Sequence, residues 1–140
     1  MAAIQFFTEK ISFRLSQPRK TSGWLQRVAL QNGFTIDSLT YVFCSDAFLG
    51  KMNEDFLGHR TLTDIISFDL SESESLVSGE IYISIPRVRE NARRFNQSFE
   101  HELRRVLVHG LLHFMGLKDK SPAEKAQMRS KEEASLSLWK

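Results

Sequence analysis

The most informative stretch of the sequence is HGLLHFMGLKD, residues 109–119, which predicts the end of a helix, a turn and a candidate functional site. On an α-helix four residues advance the chain about 6 Å and rotate it about 400°, so His109 and His113 share one face. Gly116 lets the chain leave the helix and turn back, which brings Asp119 toward the same point. We therefore predict a metal site made of His109, His113 and Asp119.

Three protein ligands and a vacant fourth position are typical of a catalytic zinc site, where the ion activates water. A structural site is normally closed by a fourth Cys or His, and nothing indicates that Cys44, His59 or His101 completes this one. We expect one Zn²⁺ per chain, with iron, manganese and nickel left open. The alternative is a pair of hydrogen-bonded core histidines, with Asp119 capping the next turn.

Working outward, capping residues delimit the helices around this stretch. Ser98 is a typical N-cap for the helix that carries both histidines and ends at Phe114 or the next residue. Ser121 and Glu124 form a capping-box pattern for a last helix that ends near residue 138. The metal site is thus expected at the end of a C-terminal helix.

The rest of the chain alternates strand and helix patterns. Residues 63–70 and 79–85 are rich in β-branched residues, and we expect them to pair as a hairpin around an exposed loop. The other predicted elements are a strand within 4–13, a helix over 18–32, a strand over 37–44, a helix from 45 or 46 to 58, and a helix over 86–96. The pattern predicts an α+β fold, a mixed sheet of about four strands covered by helices, in a single domain over 1–140.

The composition fits a soluble globular domain, with 140 residues of which 41% are hydrophobic and 26% charged. The lone Cys44 cannot form an internal disulfide, which fits a reducing compartment. Charged residues interrupt the most apolar windows well before the ~20 residues that a membrane span needs. We expect a cytoplasmic protein without a membrane segment, whose oligomeric state the sequence leaves open.

The charge distribution favours one stretch as a partner surface. The net charge is only +2, but residues 86–105 carry six Arg against three Glu. Arg grips a phosphate through two parallel hydrogen bonds, so Arg87 and Arg94 are candidate RNA contacts. Phe95 and Phe99 could stack on bases, although such residues more often belong to the core. The alternative for the whole stretch is a solvated helix face.

The histidine motif has relatives in two enzyme classes. Metzincin proteases carry Glu, the general base, directly after the first His; Gly110 stands there in this chain, which disfavours proteolysis. The arrangement instead resembles the YbeY family of metal-dependent endoribonucleases, whose signature is His-Gly-x-Leu-His, two residues, Gly and a third ligand. Asn53, residues 63–68 (TDIISF) and residues 79–81 (GEI) fall where that family has its Asn, Thr-Asp-Val-Leu-Ser-Phe and Gly-Asp-Ile. The resemblance covers about residues 35–138.

The resemblance implies hydrolysis of single-stranded RNA in the bacterial cytoplasm. It also implies maturation of the 3′ end of small-subunit 16S rRNA, ribosome quality control, and the small ribosomal subunit as a partner. The family's substrate groove borders the strand that contains Ser67, which makes Ser67 a further candidate RNA contact. Glu102, seven residues before His109 and on a similar helix face, is a candidate imidazole partner or proton-handling base.

Three positions depart from the family pattern. Asp119 stands where the family has its third His, Lys118 where it has Asp, and Leu57 where it has an Arg. Arg60 is a candidate replacement for that cation. These departures keep a second hypothesis open, a noncatalytic ribosome-associated RNA-binding factor with a structural metal. A metalloprotease is the third alternative.

Overall fold

The computed structural model describes residues 3–57 and 63–140. Its elements confirm an α+β fold with a four-stranded mixed sheet and five helices. Within the described residues no helix is both long and apolar enough to cross a membrane. In chain order the elements are β1 (Ile4–Glu9), α1 (Pro18–Gln31), β2 (Thr35–Cys44), α2 (Asp46–Leu57), β3 (Ile65–Asp69), β4 (Leu76–Ser84), α3 (Ile85–Arg94), α4 (Phe99–Phe114) and α5 (Pro122–Leu136).

The sheet has the strand order β1-β2-β4-β3. β1 pairs parallel with β2 and β2 pairs parallel with β4, whereas β3 and β4 form the predicted antiparallel hairpin, with Ser67 opposite Ile81. β1 falls within the predicted range 4–13, and it ends at Glu9 because Lys10 adopts a φ of 60° that no strand continues. The predicted start of the next strand at Gly79 is wrong, since β4 begins three residues earlier, at Leu76, because residues 76–78 pair with β2.

Alternating strand residues divide between two cores. Tyr41 and Phe43 of β2 are buried in the larger core, together with apolar side chains of α1, α4 and β4. Cys44 lies in a smaller cluster with Leu49 of α2 and Ile66 of β3. The buried Tyr41 hydroxyl donates a 2.7 Å hydrogen bond to the carbonyl of Leu107, which fixes α4 over the middle of the sheet.

Helix α4 lies unusually close to the sheet at two glycines. A Cβ on Gly79 would lie 2.6 Å from the Phe114 ring and 2.6 Å from the Phe68 carbonyl oxygen. A Cβ on Gly110 would lie 2.8 Å from Ile81 and 3.1 Å from Ile65. Position 110 therefore points into the sheet, and both glycines are required for the close approach.

We predict that Gly79→Ala lowers the free energy of unfolding by about 1–3 kcal/mol, because the methyl group overpacks a contact that includes backbone. Gly50→Ala is the control. Gly50 lies in α2 with nothing within 4 Å of a Cβ, so alanine there is neutral or stabilising by up to ~1 kcal/mol. Urea unfolding monitored by circular dichroism measures both. Equal stability changes in the two variants would contradict the close packing of α4.

Candidate metal centre

Helix α4 and the turn after it bring three ligand atoms together. The Nε2 atoms of His109 and His113 lie 3.1 Å apart, and Oδ2 of Asp119 lies 3.3 Å from the first and 3.4 Å from the second. Ligands of a tetrahedral zinc ion, bound at ~2.0–2.1 Å, are separated by roughly 3.3–3.4 Å. The three side chains thus form a triangle of the size that a metal ion requires, and they could hold one.

The turn that delivers Asp119 is held by backbone hydrogen bonds. Gly116 has a φ of 99°, and the amide of Leu117 bonds back to the carbonyl of Leu112, which ends α4 in a Schellman motif. A capping box then starts α5, in which Ser121 and Glu124 bond each other's backbone amides. The chain is therefore fixed on both sides of the third ligand, as the glycine and the Ser-Glu pattern predict.

A carboxylate from α5 orients the first imidazole. Oε2 of Glu132 lies 2.5 Å from Nδ1 of His109, and Glu132 is only 5% exposed. A carboxylate accepts hydrogen bonds, so the Nδ1–H of His109 donates to Glu132 and the Nε2 lone pair faces His113 and Asp119. The indole of Trp24 anchors α5 by donating a 2.8 Å hydrogen bond to the carbonyl of Ser135.

Behind His109 lies a network of charged side chains. Arg105 bonds Glu102 through Nε at 3.0 Å and Nη2 at 2.7 Å, and its Nη1 lies 3.3 Å from Oε1 of Glu132. Its Nη2 is also 4.0 Å from the carboxylate of Asp64, just before β3. The carboxylates of this network, together with that of Asp119, outnumber the one Arg105 guanidinium. A cation among the three ligand atoms offsets part of this surplus negative charge, so the residues fit a metal ion.

Burial and charge shift two pKa values in this network. Burial raises the pKa of the Asp64 carboxyl, and the opposing attraction of Arg105 does not cancel the effect. Burial also disfavours the charged Arg105 guanidinium, but hydrogen bonds and charge attraction from Glu102 and Glu132 outweigh it and leave the pKa of Arg105 raised. Arg105 therefore carries a permanent positive charge at the centre of the network.

The carboxylate partner of the metal site differs from the candidate that the sequence suggested. Glu102 is bonded to Arg105, and the carboxylate on the His109 ring is Glu132. Seven helical residues separate Glu102 from His109 by about 10 Å, which places the two side chains two turns apart. Glu132 had a detectable signal, because it lies four residues after the buried Met128 on the inward face of α5.

The candidate RNA contacts lie in different surroundings. Arg60, like His59, falls outside the described residues. Ser67 is exposed on β3, whereas Arg87 forms a 2.8 Å ion pair with Asp46. Arg94 is exposed beside Phe95, which is 55% exposed rather than a core residue. Phe99 packs against the larger core, where it was expected. The structure thus gives Arg87 a protein partner and leaves Ser67 and Arg94 accessible.

A surface pocket of about 380 Å³ opens beside the ligands. It is lined by His113, Asp119, Lys118, Lys120 and Glu124. Both lysines are exposed, and they flank Asp119 in the sequence. The approach to His113 and Asp119 is therefore lined by two carboxylates and two lysines, and the exposed lysines are its cationic groups.

Comparisons with known proteins are consistent in the family that they match. The family model described as endoribonuclease YbeY matches residues 4–140. A protein of Cytophaga hutchinsonii named endoribonuclease YbeY is 48% identical over 98% of this chain and 96% of its own length. One of Flavobacterium psychrophilum with the same name is 44% identical over 95% and 94%. The solution structure of a Thermotoga maritima protein superposes with a TM-score of 0.67 at 26% identity, over 96% of this chain and 87% of that one.

We predict that Zn²⁺ stabilises the protein and that His113→Ala abolishes this stabilisation. Free metal at 100 times its Kd raises the free energy of unfolding by ~2.7 kcal/mol, provided that only the folded state binds it. Thermal unfolding of chelator-treated protein, with and without added Zn²⁺, measures the effect. His101→Ala, on the same helix but outside the ligand group, should keep the shift. A metal-dependent rise in Tm that persists in His113→Ala would rule out this ligand set.

Proposed function

The chain belongs to the endoribonuclease YbeY family, and from that premise we propose that it is a zinc-dependent endoribonuclease that cleaves single-stranded RNA. The observation that carries the proposal is the triangle of His109, His113 and Asp119 at the edge of an accessible pocket. A divalent cation held there supplies Lewis acidity for hydrolysis of a phosphodiester. Residues 1–140 act as one domain in this proposal.

The protein's own side chains hold the substrate and the ligands in place. Glu132 keeps the His109 ring in one orientation and one tautomer, so the ring does not rotate away during the reaction. Lys118 and Lys120 attract the phosphates of the RNA backbone toward the pocket. Arg94 and the exposed Phe95 lie on α3 and at its C-cap, and they extend the RNA-binding surface by charge and by stacking.

The cellular role follows the family resemblance. We propose that the RNA is the 16S rRNA precursor of the small ribosomal subunit, cleaved in the cytoplasm during 3′ end maturation and ribosome quality control. The small subunit is then the partner that presents the substrate. Support for this role comes from the family match and from the basic residues near the site.

Two other functions make different demands on the site. A noncatalytic RNA-binding factor is favoured by Asp119, whose carboxylate adds a negative charge to the ion and so lowers its Lewis acidity. A metzincin-type protease needs Glu at position 110, but that position faces Ile81 and Ile65 of the sheet without room for a Cβ. The packing of α4 therefore argues against proteolysis.

We predict that purified protein cleaves a short single-stranded RNA, that a chelator stops cleavage, and that Zn²⁺ restores it. Asp119→Ala should reduce the rate strongly, because one of three ligands is lost. Gel analysis of end-labelled RNA measures cleavage, and fluorescence anisotropy measures binding. RNA binding without cleavage in Zn²⁺, Mn²⁺, Fe²⁺ or Ni²⁺ would refute the nuclease and support the binding factor.

We predict that Lys118→Gln and Lys120→Gln each weaken RNA binding and reduce its salt dependence. For single strands, each phosphate contact contributes a slope of about −0.7 to log K against log salt, so each variant should lose about that much. Lys125→Gln on the exposed side of α5 is the control and should keep the wild-type slope. Binding is measured on chelator-treated protein, so that cleavage does not interfere. Unchanged slopes in both variants would remove the two lysines from the RNA path.

A further inference from the structure

We propose that Arg105 is a positioning residue of the metal centre, which acts through Glu132 to hold the His109 ring in its ligand orientation. Arg105 does not touch the group of three ligands itself. The inference rests on the metal-dependent part of the proposed function and goes beyond it, because it assigns a role to a residue outside the ligand set.

The Glu132 carboxylate connects the two residues by using one oxygen for each. Its Oε2 lies 2.5 Å from Nδ1 of His109, and its Oε1 lies 3.3 Å from Nη1 of Arg105. A carboxylate held at both oxygens cannot rotate about its terminal bond without breaking one contact. The Arg105 contact therefore restricts Glu132 to the rotamer that serves His109.

Arg105 is itself held rigidly enough to impose that restriction. Its Nε and Nη2 form two parallel bonds, 3.0 and 2.7 Å long, with Glu102, which is 1% exposed. Such a two-point contact fixes the plane of the guanidinium. Only Nη1 then faces Glu132, and its direction is set by the contact with Glu102.

Without Arg105, the two buried carboxylates lose their shared positive charge. Glu102 would then lose its ion pair, and Glu132 would keep its contact with His109 but lose its neighbouring cation, in a poorly solvated region where an uncompensated charge is costly. The expected relief is rotation of the Glu132 side chain, which weakens its hold on Nδ1 of His109. Lysine cannot replace the arginine fully, because one ammonium does not reproduce the planar fork that contacts both carboxylates.

A second cavity gives experimental access to this network. A pocket of about 420 Å³ between α4 and α5 is lined by Glu102, Arg105 and Glu132 at its inner side, with Phe95 and Arg129 among the other lining residues. Truncation of Arg105 enlarges the pocket at the place that the guanidinium leaves. A small guanidinium ion added to the solution can therefore occupy that place.

The test measures Zn²⁺ affinity by competition with a chromophoric chelator, in wild type, Arg105→Ala, Arg105→Lys and Arg104→Ala. We expect Arg105→Ala to bind Zn²⁺ about 10–100-fold more weakly, the usual effect of losing an outer partner of a ligand. Arg105→Lys should bind with intermediate affinity. Arg104→Ala removes the same charge from the next position of α4, where the side chain stacks on Trp139, and should bind as wild type does.

Methylguanidinium at low millimolar concentration should restore part of the Zn²⁺ affinity of Arg105→Ala, and methylammonium should not. Wild-type affinity in Arg105→Ala, or in Arg105→Lys where the alanine variant does not fold, would overturn the proposal. Equal restoration by both ions, or by neither, would overturn it as well. The loss of Zn²⁺ affinity would then not come from the absence of the planar guanidinium group. Failure of wild type to bind Zn²⁺ would instead overturn the proposed function, on which this inference rests.

Discussion

The close contact between α4 and the sheet is the constraint on which the rest of the structure depends. Gly79 and Gly110 bring the helix against β4, and the Tyr41 hydroxyl bonds the helix at the Leu107 carbonyl. With α4 fixed in this way, the orientation of its histidine face, which carries His109 and His113, is also fixed relative to β3 and α5. A helix farther from the sheet would move Arg105 and His109 away from Asp64, which lies just before β3.

Electrostatics explains why so many charged groups lie together behind the ligands. Buried carboxylates are tolerated only where cations balance them, and Arg105 balances Glu102 and part of Glu132. The remaining negative charge faces the imidazoles, where it favours a bound cation. The network is thus organised around a positive charge on each side of Glu132, one from the protein and one from the proposed ion.

Local patterns in the sequence predicted most of the fold and the three residues that lie together as a candidate metal site. The spacing of His109 and His113, the glycine turn and the capping box depend on neighbouring residues only, and periodicity and caps therefore identify them. Glu132 depends on how α5 turns back against α4, a long-range property that caps do not encode. For the same reason helix spacing made Glu102 a candidate partner of His109, although its carboxylate bonds Arg105. The ion pair of Arg87 with Asp46 joins residues 41 positions apart and was equally invisible.

Because of where Asp119 lies, the side chain at this position can change with little effect on the stability of the fold. Asp119 lies between the end of α4 and the start of α5, its side chain is 38% exposed, and backbone bonds on either side fix the chain. Exchange of its side chain therefore disturbs little packing, in contrast to exchange within α4. Mutation can replace a hard oxygen donor by a nitrogen donor here while the scaffold stays unchanged. In the proposed metal centre, the chemistry of the third donor can therefore change at one position without a change in the architecture that supports it.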